Sequence, residues 1–380
     1  MLSRRSFVLG SLGATTLPLF GCGSGSGSGS SDPPKFTAQS LQNPALFASV
    51  ALTVSGTRQA GFSLTMNVPL SQRATLWNRS ATDYTDLHPA GYGISAIYGA
   101  DENHQVGYGD DYALLWNGSA TSAINLHPFS LLTSQGRSLA LATHNGIQGG
   151  YGAGGSVSPD HALLWRGTPE SVVDLHPLNL DMLKSFVIGV HGDQQVGVGF
   201  TIGGGVLIDS PPPAVYALLW RGTADSVLNL NPVGYLRSRA LATSGKQQVG
   251  WASKLFYHGG GPDFPIFSAE PIPIGDEAIL WSGTAESAIT LHPSSWGYSR
   301  AYGVANGEQV GYGGGHSSAD EVHALHWRGS AESVIDLHTF LPPEYSESFA
   351  RGINDNGDVV GGAILRSNPQ QFQAVLWKRQ

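Results

Sequence analysis

The chain has 380 residues, a formal net charge of -8, 51 glycines, 13% charged residues and a single cysteine. An acidic chain without a basic run argues against nucleic acid as a partner. One cysteine rules out an internal disulfide. No Walker-type or dinucleotide-binding context is present, since the Gly-rich stretches fall between short apolar segments and not before helices; no cofactor is expected.

The first segment, residues 1–21, reads as an export signal: Arg4-Arg5, then a mostly apolar core from Phe7 to Phe20, with no further charge until Asp32. Ser3-Arg4-Arg5-Ser6-Phe7-Val8 resembles a twin-arginine signal, although the usual following lysine is missing and the general secretory route stays open. Leu19-Phe20-Gly21-Cys22 resembles a bacterial lipobox, which implies cleavage before Cys22 and a thioether-linked lipid on its sulfur. Residues 22–35 then form a Gly/Ser tether ending in Asp32-Pro33-Pro34. Beyond the leader no stretch has the roughly 20 apolar residues of a bilayer span, so the expectation is a chain anchored to a membrane by its N-terminal lipid.

Residues 36–380 are dominated by a repeat. Ala113-Leu114-Leu115-Trp116 recurs as Ala162-Leu163-Leu164-Trp165 and Ala217-Leu218-Leu219-Trp220, with looser copies ending at Trp77, Trp281, Trp327 and Trp377. Before each copy lies a phrase such as Gln105-Val106-Gly107, Gln195-Val196-Gly197 or Gln309-Val310-Gly311, and before that a segment such as Ser138-Leu139-Ala140 or Ser299-Arg300-Ala301. After each tryptophan comes a phrase such as Asp86-Leu87-His88-Pro89 or Asp174-Leu175-His176-Pro177. All four segments are short, apolar and bounded by turn residues, which is the pattern of strands. Asn306-Gly307 and Asn356-Gly357 fit tight hairpins between the first and second strands.

Four antiparallel strands per roughly 50 residues are the size of one propeller blade. Only Lys378-Arg379-Gln380 follow the last Trp phrase, so the seventh copy lacks a fourth strand, and Phe36 to Leu41 can supply it. The expectation is an all-β, seven-bladed β-propeller with four antiparallel strands per blade, closed by the N-terminal strand; an open β-solenoid is the alternative. Length alone suggests two domains, but the uninterrupted repeat argues for one. The seven tryptophans are expected between blades, where each buries roughly 150–250 Å².

His161-Ala162-Leu163-Leu164-Trp165, Asp174-Leu175 and Ile353-Asn354-Asp355-Asn356-Gly357-Asp358-Val359-Val360-Gly361 resemble the HAF-repeat family of bacterial proteins. The resemblance covers nearly all of the chain after residue 45. It implies a secreted or surface-attached repeat protein and no reaction. Leu163 replaces the family's phenylalanine, and Asp-Leu-His-Pro replaces its Asp-Leu-Gly, which suggests a subgroup.

His88, His127, His176, His292 and His338 share one repeat position, with Asn231 in their place in one copy. Equivalent positions diverge around a ring, so a structural role before proline is expected and not a shared metal. Asn354-Asp355-Asn356-Gly357-Asp358 resembles part of a calcium loop but occupies a hairpin position. The variable connections, from second to third strand and from the fourth strand to the next blade, emerge on one face. They carry Tyr257, His258 and Phe264, and Tyr92, Tyr235, Trp296 and Tyr345. These aromatics either pack over blade junctions or line a binding face. The favoured role is a monomeric, non-enzymatic binding or scaffold module for an envelope polymer or protein ligand. The alternative is an enzyme acting on polysaccharide, with acids such as Asp263, Glu270, Asp320 and Glu321.

Overall fold

The computed structural model describes residues 33–66, 71–201, 214–254, 275–315 and 322–380, and residues Lys35–Gln380 form one compact body. Strand β1 (Phe36–Ser40) comes first. Seven sets of strands follow, here called units. Unit 1 holds β2 (Leu46–Ser55), β3 (Arg58–Thr65), β4 (Gln72–Trp77) and β5 (Tyr84–Asp86). Unit 2 holds β6 (Ser95–Ala100), β7 (Gln105–Gly109), β8 (Tyr112–Trp116) and β9 (Ile124–Asn125). Unit 3 holds β10 (Arg137–His144), β11 (Ile147–Gly154), β12 (Val157–Trp165) and β13 (Val173–Asp174). Unit 4 holds β14 (Met182–His191), β15 (Gln194–Thr201), β16 (Val215–Trp220) and β17 (Leu228–Asn229). Unit 5 holds β18 (Arg237–Thr243), β19 (Gln248–Ser253), β20 (Asp276–Trp281) and β21 (Ile289–Thr290). Unit 6 holds β22 (Tyr298–Ala305), β23 (Glu308–Gly314), β24 (Val322–Trp327) and β25 (Ile335–Asp336). Unit 7 holds β26 (Tyr345–Ile353), β27 (Val359–Leu365) and β28 (Asn368–Arg379).

Within each unit, consecutive strands pair antiparallel. Units 4 and 5 are joined into one eight-stranded sheet by a single parallel pair, Val215 with Arg237. In unit 7 the fourth strand is β1, paired from Phe36 with Arg379 to Ser40 with Val375. The first and last described strands therefore share one sheet, in the place the sequence left open. Of the two turns named from the sequence, Asn306-Gly307 takes positive φ at both residues and Asn356-Gly357 only at Gly357; Asn145-Gly146 takes it at both as well.

The glycine of the Gln-Val-Gly phrase answers a cross-strand contact. A Cβ on any of Gly61, Gly107, Gly150, Gly197, Gly250, Gly311 or Gly361 would lie 1.8–2.0 Å from a carbonyl oxygen of the first strand. Beside that contact the first strand carries one extra residue: Leu52, Tyr98, Leu141, Ile188, Leu241, Tyr302 or Arg351. A β-bulge of this kind bends its strand and increases the local twist.

The seven tryptophans are fully buried, each in its own cluster between one unit and the unit before. Trp116 packs on Leu76 and Leu87, Trp165 on Leu115 and Leu126, and Trp220 on Leu164 and Leu175. Trp281 packs on Leu219 and Leu230, Trp327 on Leu280 and Leu291, and Trp377 on Val310 and Leu337. Trp77 completes the set by packing on Leu41, Val360 and Leu376 of unit 7. First strands also pack in series, β2 on β6, then β10, β14, β18, β22 and β26, and β26 packs on β2.

Candidate functional site

The histidines at the repeat position are joints between units. Each first strand carries a fully buried serine: Ser49, Ser95, Ser138, Ser185, Ser238, Ser299 or Ser348. Its Oγ accepts the backbone N–H of the alanine that opens the Trp phrase of the preceding unit. Ala162 N–H thus donates to Ser185 and Ala217 N–H to Ser238, both at 3.0 Å, and Ala374 N–H of unit 7 donates to Ser49 at 3.2 Å. With Oγ accepting, the hydroxyl proton goes to the Nδ1 of the histidine: His88, His127, His176, His292 and His338 lie 2.8–2.9 Å from their serines. The Nε2–H then donates to a backbone carbonyl, as from His88 to Tyr92 at 2.9 Å and from His176 to Met182 at 3.1 Å.

This bonding requires the neutral, Nε2-protonated ring. Unit 4 replaces the ring with its amide equivalent. Asn231 Oδ1 accepts from Ser238 at 2.7 Å, and Nδ2 donates to the Tyr235 carbonyl at 2.9 Å. At the junction of units 7 and 1, Gln42 does the same, accepting from Ser49 at 2.5 Å and donating to Leu46 at 2.8 Å. Burial pushes the pKa of His127, His176 and His292 below its ordinary value. The glutamines of the second strands are also committed: Gln105, Gln148 and Gln248 accept the backbone N–H of Gly118, Gly167 and Gly283, in the turn after each tryptophan.

The calcium-like segment is a hairpin held by its own side chains. Asn354 Oδ1 accepts from the N–H of Asn356 and Asp358, and Asn354 Nδ2 donates to Gly56 of unit 1. Asp358 accepts the Arg379 N–H and pairs with Arg79. Among the described residues, no three His, Cys, Asp or Glu side chains converge on a point suited to a metal ion.

The inner strands are not equivalent around the molecule. In units 7 and 1 to 4 they contribute to two overlapping apolar clusters, with Leu52, Phe62 and Phe349 in one, Leu141, Phe186 and Val198 in the other, and Tyr98 and Leu139 in both. In units 5 to 7 cations and aromatic rings take over. Arg237, Arg239 and Arg300 lie over the Trp251 ring at 5.5, 5.4 and 4.7 Å, and Arg351 lies over Tyr302 at 4.1 Å. Arg300 forms a buried ion pair with Asp276 at 2.6 Å. In units 3 and 4, Arg137 and Lys184 share buried Asp160 at 2.8 and 3.4 Å. Burial pushes the Tyr98 and Tyr312 hydroxyls far above their ordinary pKa, so both are protonated near neutral pH.

The aromatics expected on the variable face divide into three groups. Trp296 and Tyr345 are buried: Trp296 meets His323 edge-on at 5.7 Å, and the Tyr345 hydroxyl donates to Gln373 at 2.8 Å. Tyr92 and Tyr235 are half-buried. Gly109 leaves the space that the Tyr92 ring fills. Tyr235 hydrogen-bonds Glu277, and Lys254 lies over its ring at 4.7 Å while pairing with Glu277 at 2.8 Å. Burial opposes ionisation of Glu277, but hydrogen bonds from Lys254 and Tyr235 outweigh it and hold the carboxyl below its ordinary value. The sequence reading missed Lys254 and Glu277, which flank the long connection between β19 and β20. Tyr257, His258 and Phe264, with Asp263, Glu270, Asp320 and Glu321, lie outside the described residues.

No family model and no curated protein matches the chain. Solved structures do. The β-propeller domain of the Trilobed protease from Pyrococcus furiosus, described as having an open Velcro topology, is 10% identical with a TM-score of 0.52, covering 88% of this chain and 97% of that one. A puromycin-hydrolysing peptidase from Mycobacterium tuberculosis is 12% identical, TM-score 0.49, over 87% of this chain and 52% of that one. An acylaminoacyl peptidase from Pyrococcus horikoshii is 10% identical, TM-score 0.47, over 89% and 53%. The chain thus spans about half the length of these two peptidases. At such identities the likeness is one of fold: the chain has a β-propeller fold built of four-stranded antiparallel sheets.

Proposed function

We propose that the chain is a seven-bladed propeller closed by β1, exported and held at the cell envelope by a lipid on Cys22, and that it works as a monomeric binding or scaffold module. Closure is supported by the pairing of β1 with β28, the Trp77 cluster and the Ala374 to Ser49 hydrogen bond. The HAF-like phrases and the lipobox support the envelope location, periplasmic or at the cell surface. The binding surface in this reading is the end where second strands pass to third and fourth strands to the next blade. It would take an envelope polymer or protein through Tyr92, Tyr235, Tyr257, His258 and Phe264, with Trp296 and Tyr345 as the packed base.

One observation carries this reading. The residues that the repeats share are consumed inside the scaffold: tryptophan between units, serine and histidine across them, glutamine in the turn, glycine against a carbonyl. What varies in length and composition gathers at one end, and side chains on loops of a rigid scaffold are the usual place for recognition. Two experiments test the proposal. Radioactive palmitate should label the wild type and not Cys22→Ser, and equal incorporation rejects the anchor. The chain should bind components on an array of envelope glycans and peptides, with binding lost in Tyr235→Ala; an array at background throughout rejects the binding face.

A further inference from the structure

Arg351 stands apart from the other inner-strand arginines. It occupies the bulge position of β26, where units 1, 3, 4 and 5 have Leu52, Leu141, Ile188 and Leu241. Arg351 is half-buried and its guanidinium has no hydrogen bond or ion pair with any described residue; its Nε is fully buried. Its contacts are aromatic: Tyr302 at 4.1 Å, Phe349 at 5.3 Å and Tyr312 at 5.5 Å from the ring centroids. A guanidinium offers five N–H donors in a planar fork, and a buried donor left without an acceptor costs about 1–3 kcal/mol. A second donor is adjacent. The Tyr302 and Tyr312 hydroxyls share one hydrogen bond at 3.1 Å, so whichever accepts keeps a proton without a partner among the described residues.

We propose that Arg351 anchors an inner binding site for a small organic carboxylate. The donor set of one fork and one hydroxyl fits the two oxygens of a carboxylate, and bidentate pairing is what a guanidinium does best. One unpaired positive charge matches one negative charge. On one side Phe349, which lies against Arg351, packs on an apolar cluster with Leu52 and Tyr98, so a ligand body on that side is apolar or aromatic. The site lies on the inner strands and is independent of the variable face, so a blank array leaves it standing.

The test is calorimetric titration of the full chain with benzoate, and with benzamide as the neutral ring of the same shape. Saturable benzoate binding is expected, at least tenfold tighter than benzamide, a gap of about 1.4 kcal/mol. Arg351→Met should abolish it, and Arg351→Lys, which keeps the charge but not the fork, should weaken it about tenfold. The proposal is overturned if the wild type shows no saturable binding of benzoate or cyclohexanecarboxylate. It is equally overturned if benzamide binds as tightly as benzoate, or if Arg351→Met keeps the wild-type affinity. Should Arg351→Met fail to fold, Arg351→Lys decides alone: an unchanged affinity refutes the bidentate anchor.

Discussion

The Ser–His joints make a prediction that natural variation within the chain has already set up. At the junction of units 3 and 4, Ser185 donates to His176 Nδ1, and His176 Nε2–H donates to the Met182 carbonyl. His176→Ala removes the ring, leaving the buried Ser185 hydroxyl without an acceptor and the Met182 carbonyl without its donor. Each stranded group costs about 1–3 kcal/mol, so at pH 7.5 the two together give an expected loss of about 2–6 kcal/mol. His176→Asn restores both bonds in the manner of Asn231 and should cost less than about 1 kcal/mol. The two variants also separate under acid. The folded pKa of His176 is depressed by burial and by His161, stacked on it at 3.8 Å, with Asp174 partly opposing. A depressed folded pKa means that the unfolded chain binds protons first. The contribution is complete above the unfolded value of 6.5 and is lost as pH falls from there through the folded value. Between pH 7.5 and pH 5 this histidine can cost the wild type at most about 2 kcal/mol, at 1.36 kcal/mol per unit. His176→Asn, which keeps His161 and Asp174, should lose less over the same range. Urea unfolding followed by tryptophan fluorescence measures both. The bonding scheme is refuted if His176→Asn is as unstable as His176→Ala at pH 7.5, or if it loses as much stability as the wild type on acidification.

Three further outcomes are expected. Gly197→Ala places a Cβ 1.9 Å from the Phe186 carbonyl, so the variant should lose its cooperative unfolding transition, and a wild-type melting profile would contradict the close approach. Asp276→Ala breaks the buried ion pair with Arg300 and should cost about 3–5 kcal/mol in denaturant unfolding, much of it recovered by adding Arg300→Met. Although burial opposes its ionisation, Glu308 is held at a pKa of about 2 by His326 and Arg379, so its stabilising share is present above 4.5 and lost as pH falls toward 2. Glu308→Gln should flatten that part of the pH–stability profile, and an unchanged slope would exclude the pairing.

What the sequence made legible is what repeats within a single strand. Ala-Leu-Leu-Trp is apolar at four consecutive positions, which only a strand covered on both faces can use, and all seven tryptophans are buried between units. The open place in the seventh copy was legible for the same reason, because a missing fourth strand leaves an unpaired edge. Polar contacts between units were not. Ser185 and His176 are both regular in the sequence, yet their bond depends on how one sheet lies on the next. The Gln-Val-Gly glycine likewise answers a carbonyl on another strand and not a turn of its own. For Trp296 and Tyr345 the sequence left junction packing and a binding face both open, and both side chains are buried in the clusters between units, Tyr345 as the first residue of β26.

The same reasoning explains why a ligand site would stay hidden in a repeat. A residue that every unit carries is fixed by a contact that every unit makes, so it is already spent on the fold. The seven bulge positions share a backbone geometry and not a residue: two leucines and an isoleucine in units 3 to 5, leucine in unit 1, tyrosine in units 2 and 6, and arginine in unit 7. The scaffold therefore tolerates an aliphatic side chain there, and a lone guanidinium gains nothing from the bulge itself. Stacking on Tyr302 accounts for about 0.5–2 kcal/mol, against about 1–3 kcal/mol for the buried, unbonded Nε. The proposed carboxylate supplies from outside the chain the acceptor that the buried Arg351 Nε lacks among the described residues.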